Sequence, residues 1–273
     1  MPLPELPEVE TTRRGLLPHV VGRRIANVVV RNPNLRWPVP RDLPRRLRGA
    51  EVLDIRRRGK YLLFDFSHGH LLAHLGMSGR LSLVPARSPA RVHDHVDLEL
   101  EGDGTLRLTD PRRFGAMLWI GERPEEHALL RGLGLEPFGP EFSGAALHRL
   151  ARGRKVAVKQ FLMNSRVVTG VGNIYASEAL HEAGVHPLRS TGRISAARWE
   201  KIAAAIRSTF ERAIKAGGTT LRDFAAADGS PGYFQHEFRV YGREGKPCPR
   251  CGAKIRALRQ GQRSTYYCPG CQR

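Results

Sequence analysis

The sequence predicts an α+β chain of about two domains with a compact tail: a leading helix, an antiparallel β-sandwich or barrel, a helical region and a cysteine-stapled hairpin. That architecture rests on three patterns. Between about residues 25 and 120, eight short apolar or alternating runs follow one another without long intervening helices, which excludes a parallel βαβ sheet. From about residue 125 the apolar period becomes helical. All four cysteines fall in the last 26 of 273 residues, so they form one local site and not a disulfide framework for the whole chain.

The leading helix follows from Val9, Leu16 and Val20 at helical spacing, with Pro7 suited to a first turn and Pro18 disfavouring continuation. Strands follow at Ile25 to Val30, Val52 to Ile55, Tyr61 to Phe66, Leu71 to Leu75, Leu81 to Val84, Val96 to Leu100, Leu106 to Leu108 and Ala116 to Ile120, separated by Gly, Pro, Asp and Ser. Shorter helices are expected at 144–152, 156–163 and 173–183. The clearest helix carries Trp199, Ile202, Ile206, Phe210 and Ala213 as one stripe and stops at Gly217-Gly218. Ala225 to Gly232, rich in Ala, Asp, Gly, Ser and Pro, is expected to be a mobile loop before the tail.

Charge narrows the function. Forty-five Lys and Arg against 26 Asp and Glu give a net charge of +19, with 41% hydrophobic and 26% charged residues, a composition that excludes global disorder. The sequence pI is about 10.9. Neither a membrane span nor a signal-peptide layout is present, so an intracellular protein is expected, cytoplasmic and near the nucleoid. Such an excess of cations needs a polyanion. The clusters Arg56-Arg57-Arg58, Arg112-Arg113 and Arg152 through Lys159 lie in folded-looking segments, not on a basic amphipathic helix, so nucleic acid is favoured over a membrane.

Cys248-Pro249-Arg250-Cys251 and, sixteen residues on, Cys268-Pro269-Gly270-Cys271 have the spacing of two zinc knuckles. Four thiolates leave no open position, so the one zinc ion expected here is structural. Eight basic residues and one acidic residue between Arg243 and Arg273 make this tail a candidate phosphate-binding hairpin. At the other end, the sequence begins Met1-Pro2-Leu3-Pro4-Glu5-Leu6-Pro7-Glu8-Val9-Glu10. Methionine before proline is normally removed, which exposes a prolyl amine. A terminal amine with a pKa near 8 is roughly a tenth unprotonated at neutral pH, against under a thousandth of an ordinary lysine, and so is a candidate nucleophile for imine formation at a sugar carbon.

Six motifs in order carry a resemblance: Pro4-Glu5-Leu6-Pro7-Glu8-Val9-Glu10-Thr11; Arg57-Arg58-Gly59-Lys60-Tyr61-Leu62-Leu63; His74-Leu75-Gly76-Met77-Ser78-Gly79; His93-Asp94-His95-Val96; Asp110-Pro111-Arg112-Arg113-Phe114-Gly115; and Gly170-Val171-Gly172-Asn173-Ile174-Tyr175-Ala176-Ser177-Glu178. With the zinc knuckles, they make the chain resemble, end to end, bacterial formamidopyrimidine-DNA glycosylases. Leu6 stands where the sister endonuclease VIII group typically has Gly. The resemblance implies a β-sandwich catalytic domain over 1–134, a helix-two-turns-helix DNA-binding domain with a lesion-covering loop over 135–232, and a zinc-finger domain over 233–273. It implies a monomer acting on duplex DNA that contains oxidised purines such as 8-oxoguanine or formamidopyrimidines, with the DNA lying across a cleft. It also implies excision through an N-terminal proline Schiff base, β,δ-elimination, and no organic cofactor.

The same resemblance assigns residues. Glu5 matches the general acid at the sugar, which needs a proton at working pH. Lys60 matches the lysine that contacts the lesion and assists β-elimination, and Arg263 the fingertip arginine on the flanking phosphates. His93, Arg112, Arg154 and Asn173 match DNA contacts, Asn173 also as a cap of the helix that follows it. Met77, Arg112 and Phe114 match residues that fill the hole left by the flipped base, the arginine reading the orphaned cytosine. Glu8 and Glu178 match carboxylates near the nucleophile and the lesion pocket, and Ala225 to Tyr233 the loop that folds over the everted base.

One departure concerns the nucleophile. The family opens Met-Pro-Glu-Leu-Pro-Glu, whereas two further residues stand before that register here, so the motif places the nucleophile at Pro4, whose nitrogen is then an amide. Three explanations stand: translation from codon 3, which frees Pro4 and is favoured by the intact register; a working Pro2; or a catalytically silent damaged-DNA-binding protein. A glycosylase for oxidised pyrimidines, as in the endonuclease VIII group, is the alternative of another specificity.

Overall fold

The structure is a computed structural model that describes residues 4–219 and 234–273. The described residues form two compact units, 4–131 with 216–219 and 132–215 with 234–273.

The first unit begins with helix α1 (Leu6–Val20). Glu5 is its extended N-cap, and Glu5 and Glu8 close a reciprocal capping box that satisfies two orphan N–H groups, with Pro7 in the first turn. The helix runs through Pro18, contrary to the expected stop. Proline removes one N–H from the final turn, and the full burial of Val20 in the core offsets that loss. Gly22, at φ +80°, then turns the chain.

Strands β1 (Ile25–Val30), β2 (Asp54–Arg58), β3 (Tyr61–Phe66), β4 (Gly69–His74), β5 (Arg80–Val84), β6 (Asp94–Leu100), β7 (Thr105–Thr109) and β8 (Ala116–Trp119) match the eight expected runs. They make two four-stranded antiparallel sheets, ordered β1-β6-β7-β5 and β2-β3-β4-β8. This is a sandwich, the first of the two architectures the pattern allows. Strand β2 is shifted into the arginine run because pairing with β3 sets its register, Arg56 facing Leu63 and ion-pairing with Asp65. Helix α2 (Leu43–Leu47) is a five-residue turn too short for periodicity to reveal, seated by Leu43 and Leu47. Inward residues of both sheets share one core with α1 and α2: Ile25, Leu98 and Leu106 from one, Phe64, Leu71 and Met117 from the other, none more than 1% exposed.

The second unit carries α3 (Gly144–Ala151), α4 (Val158–Leu162), α5 (Asn173–Glu182), α6 (Ala196–Lys215) and the hairpin β9 (Arg256–Gln260) and β10 (Arg263–Tyr267). The Ser143 hydroxyl caps α3 by accepting from the Ala146 N–H at 3.1 Å. The α6 stripe is buried as its spacing predicts, with Trp199 against Phe161 and Phe210 edge-on to Tyr175. Gly217 and Gly218 take positive φ after its end. The hairpin turns through Gly261 and Gln262, both left-handed at φ +55° and +62°, as a tight two-residue turn requires. The expected loop Ala225 to Tyr233 lies outside the described residues. Among the described residues no helix is long and apolar enough to cross a membrane.

Candidate functional site

In the first unit, Pro4 and Glu5 are buried at the start of α1. The Glu8 carboxylate spans this region: one oxygen accepts the Glu5 N–H at 2.9 Å, the other the Thr219 N–H and hydroxyl at 3.0 and 2.9 Å. It thereby ties the chain start to residues 211 positions away, and Gly218 has its backbone against the same carboxylate. Pro2 lies outside the described residues.

Lys60 stands half-buried beside Gly59 in the turn from β2 to β3; Gly59 has φ +58°. The base of that hairpin is fixed by Glu10, which accepts from Arg13, Arg14 and Arg57. Burial alone would raise the Glu10 pKa, but the Arg13 and Arg14 hydrogen bonds and the charges of Arg13 and Arg57 outweigh it and hold it at about 2. His74, a motif residue to which the resemblance assigns no role, lies 4.8 Å ring to ring from Tyr61. Burial, with the cations Lys60 and Arg36, pushes its pKa down to about 4, so the ring is neutral at working pH.

Met77 occupies the turn between β4 and β5, and Arg112 and Phe114 the turn between β7 and β8. The Arg112 guanidinium lies 4.9 Å over the Phe114 ring, which is 39% exposed and not a core residue. His93 is exposed just before β6, with its carbonyl accepting the Asp110 N–H at 2.9 Å. The structure brings these four together on adjoining turns.

In the second unit, Arg154 is exposed, with its guanidinium 5.7 Å from the Phe161 ring. Asn173 differs from the expected cap: Gly172 is the N-cap of α5 and Asn173 its first residue. Tertiary partners claim its side chain. Its carbonyl oxygen accepts from Lys159 Nζ at 2.7 Å, and its amide donates to the Ser264 carbonyl at 3.1 Å. Lys159, 1% exposed, also donates to the Thr265 hydroxyl at 2.7 Å, locking α4 and α5 onto β10. Arg263, exposed at the hairpin tip, lines a cavity of about 310 Å³ with Lys159, Gln160, Asn164 and Thr265. The spacing of motifs gives no signal for Lys159, whose partner Thr265 is 106 residues away.

Cys248, Cys251, Cys268 and Cys271 converge with all four Sγ atoms within 4.8 Å of one another. Cys248 to Cys271 is 3.8 Å and Cys251 to Cys268 is 3.4 Å, against the ~3.8 Å edge of a tetrahedron with ~2.3 Å zinc–sulfur bonds. The donor set therefore fits one structural zinc ion. The site is docked on α5: His181 Nε2 lies 3.4 Å from Cys248 Sγ, and the Arg250 guanidinium donates to the His181 carbonyl at 3.2 Å. Glu178, buried in the same helix, accepts the N–H groups of Arg239, Val240 and Tyr241 at 2.7 to 3.0 Å. Burial pushes its pKa up, and those N–H groups act against that shift.

Comparison with known proteins places these features. Three family models match: the formamidopyrimidine-DNA glycosylase N-terminal domain over 3–117, the H2TH domain of the same glycosylase over 133–225, and the zinc finger found in FPG and IleRS over 245–273. The formamidopyrimidine-DNA glycosylase of Methylococcus capsulatus is 59% identical over 99% of this chain and 100% of its own, and that of Syntrophotalea carbinolica 57% with the same coverage. Among solved structures, the complex between the Lactococcus lactis Fpg and an abasic site-containing DNA has a TM-score of 0.91 at 34% identity, covering 98% of this chain and 99% of that one. The MutM (FPG) protein of Thermus thermophilus has a TM-score of 0.88 at 38% identity, with 98% of each chain covered. With the sandwich, the helical unit and the four-cysteine hairpin all matched in order, this chain belongs to the formamidopyrimidine-DNA glycosylase family.

Proposed function

We propose that this protein is a base-excision repair enzyme, a bifunctional DNA glycosylase and abasic-site lyase that removes oxidised purines from duplex DNA. The observation that carries this reading is the match to formamidopyrimidine-DNA glycosylases at 57 to 59% identity over essentially the whole chain. A prolyl nitrogen attacks the sugar C1′, the damaged base departs, and the resulting Schiff base undergoes β- and then δ-elimination. The strand is cut on both sides of the lesion sugar. Pro4 is the proposed nucleophile once it leads the chain, with Pro2 as the other terminal amine. Glu5 supplies the proton at the sugar, Lys60 assists β-elimination, and Arg263 grips the flanking phosphates.

Met77, Arg112 and Phe114 are the proposed occupants of the space left by the flipped base, and His93, Arg154 and Asn173 contact the backbone. The cation–π stack of Arg112 on Phe114 supports this, since it holds a hydrogen-bonding plane beside an apolar wedge. Cys248, Cys251, Cys268 and Cys271 would hold a zinc ion that braces the hairpin carrying Arg263. The proposed working division is a catalytic domain over 1–134, a DNA-binding domain over 135–232 and a zinc finger over 233–273, acting in the bacterial cytoplasm on the nucleoid.

Borohydride trapping on an 8-oxoguanine:cytosine duplex tests the reading, with mass mapping of adducts from the 273-residue chain and from a shorter form opening Met-Pro4. The expected adduct is on the leading proline with Pro4 as nucleophile. An adduct at Pro2 of the longer chain transfers the role to that residue, and no adduct on either form refutes the lyase assignment.

A further inference from the structure

The three proposed space-filling residues sit on two turns far apart in sequence, and one buried side chain holds those turns in register. Asp110 is fully buried. Its Oδ1 accepts the Ser78 hydroxyl at 3.0 Å, and its Oδ2 accepts the Gly115 N–H at 2.7 Å. The same Ser78 oxygen accepts the Arg112 N–H at 3.3 Å. The carboxylate therefore links the turn bearing Met77 to both flanks of Arg112 and Phe114. Its main chain extends the network: the carbonyl accepts from the Arg113 N–H at 3.1 Å and pairs with His95 Nε2 at 2.8 Å, and its N–H donates to the His93 carbonyl at 2.9 Å.

The fit leaves little slack. A Cβ at Gly76, which has φ +63°, would lie 2.5 Å from the Phe114 carbonyl carbon, and one at Gly115 would lie 2.7 Å from the His74 carbonyl oxygen. The two turns touch through bare backbone. Arg113 itself is held at φ +57°, a conformation costly for a side-chain-bearing residue that persists only where its surroundings over-determine it. Phe114, Arg112 and His93 are all exposed at the surface of this network, so burial of their own side chains does not fix where they point.

From these contacts we infer that Asp110, acting through Ser78, is a positioning residue for reading the base opposite the lesion. It sets the direction of Arg112 and the spacing of Met77 and Phe114 without itself touching DNA. This rests on the proposed role of those three residues in duplex DNA. The chemistry fixes the consequence of Asp110→Asn: one amide oxygen can still accept from the Gly115 N–H, but the NH₂ cannot accept the Ser78 hydroxyl proton. The NH₂ would instead donate to the Ser78 oxygen, the serine proton must find another acceptor, and the oxygen that receives the Arg112 N–H is no longer anchored by a carboxylate.

The test compares wild type, Asp110→Asn and Ser78→Ala on three substrates: 8-oxoguanine opposite cytosine, 8-oxoguanine opposite adenine, and a single-stranded abasic oligonucleotide that has no opposite base. Asp110→Asn is expected to lower excision opposite cytosine by at least about tenfold and to shrink the cytosine-over-adenine preference, the scale of one lost base-reading contact. Borohydride trapping on the single strand is expected to stay within about twofold of wild type, since the amine chemistry there needs no space-filling. Ser78→Ala, which removes the acceptor of the Arg112 N–H outright, should shift the same ratio in the same direction. An unchanged ratio in both variants overturns the inference, as does an equal loss on all three substrates, which would make Asp110 a fold stabiliser only. Wild-type inactivity on every substrate would instead refute the glycosylase and lyase reading.

Discussion

The β-sandwich and the zinc-stapled tail solve the same problem by different means. In the sandwich, two sheets and two helices bury a large continuous apolar core, and the surface turns are then aimed by buried polar groups such as Asp110, Glu10 and the Arg107 cluster. In the tail, the apolar cluster around the cysteines is Val240, Cys248, Ile255 and Cys268, two of them metal ligands themselves. A segment this small cannot exclude enough water to order itself, so a metal and side-chain ties to α5 replace the core. Exposed cations can thus be held for DNA either on a rigid apolar platform or on a metal-braced hairpin. The second kind should fail first when its one staple is removed.

Removing the metal separates the two most strongly. A chelator, or Cys268→Ser, is expected to abolish ordered structure in the tail, since structural zinc sites contribute on the order of 10 kcal/mol to folding. Hydrogen exchange should then show lost protection across 245–273 with the β3 and β4 amides still protected. Loss in both regions together would mean that the sandwich depends on the same staple.

Next in size is Arg107→Ala. Arg107 donates to Asp97 at 2.8 and 2.9 Å, to Asp94 at 3.3 Å and to the carbonyls of Ser88 and Pro89. Alanine would leave Asp97 with Arg31 as its remaining cation and Asp94 with only the Arg91 N–H and the Thr109 hydroxyl, at a cost of roughly 2–3 kcal/mol, read as a lower urea midpoint for the first unit with zinc retention unchanged. In the second unit, Glu178→Gln leaves one carbonyl oxygen to serve three N–H groups and should cost roughly 1–3 kcal/mol, seen as faster exchange at Arg239 to Tyr241.

The smallest effect is acid sensitivity. The Glu10 pKa, about 2 in the folded chain against 4.5 for the free side chain, lies below its unfolded value. Its stabilisation is therefore present above about pH 4.5 and is lost as pH falls towards 2, by about 1–2 kcal/mol once solvent screening is included. Stability curves of wild type and Glu10→Gln should converge as pH falls through that window.

Much of this is legible in one dimension. Alternation locates the eight strands, the three-and-four steps locate α6, and the cysteine spacing identifies the metal site, because each signal is written within a few neighbouring residues. Short or overridden elements are not. Helix α2 spans five residues, too few for a period, and Pro18 stays inside α1 because Val20 has a core to enter.

The order of the parts, the metal and the family to which the chain belongs can all be read from the residues alone. What aims the candidate DNA-contacting residues cannot, because it emerges only when distant segments meet. Asp110 bonds a serine 32 positions away, Glu178 bonds backbone about 60 positions away, and Lys159 reaches a threonine 106 positions away. The same meeting of segments makes Asn173 a bridge between elements instead of the cap of α5. The physical reason is that a buried polar group must find its partner wherever folding brings one within about 3 Å. Neither composition nor periodicity records which distant backbone that is.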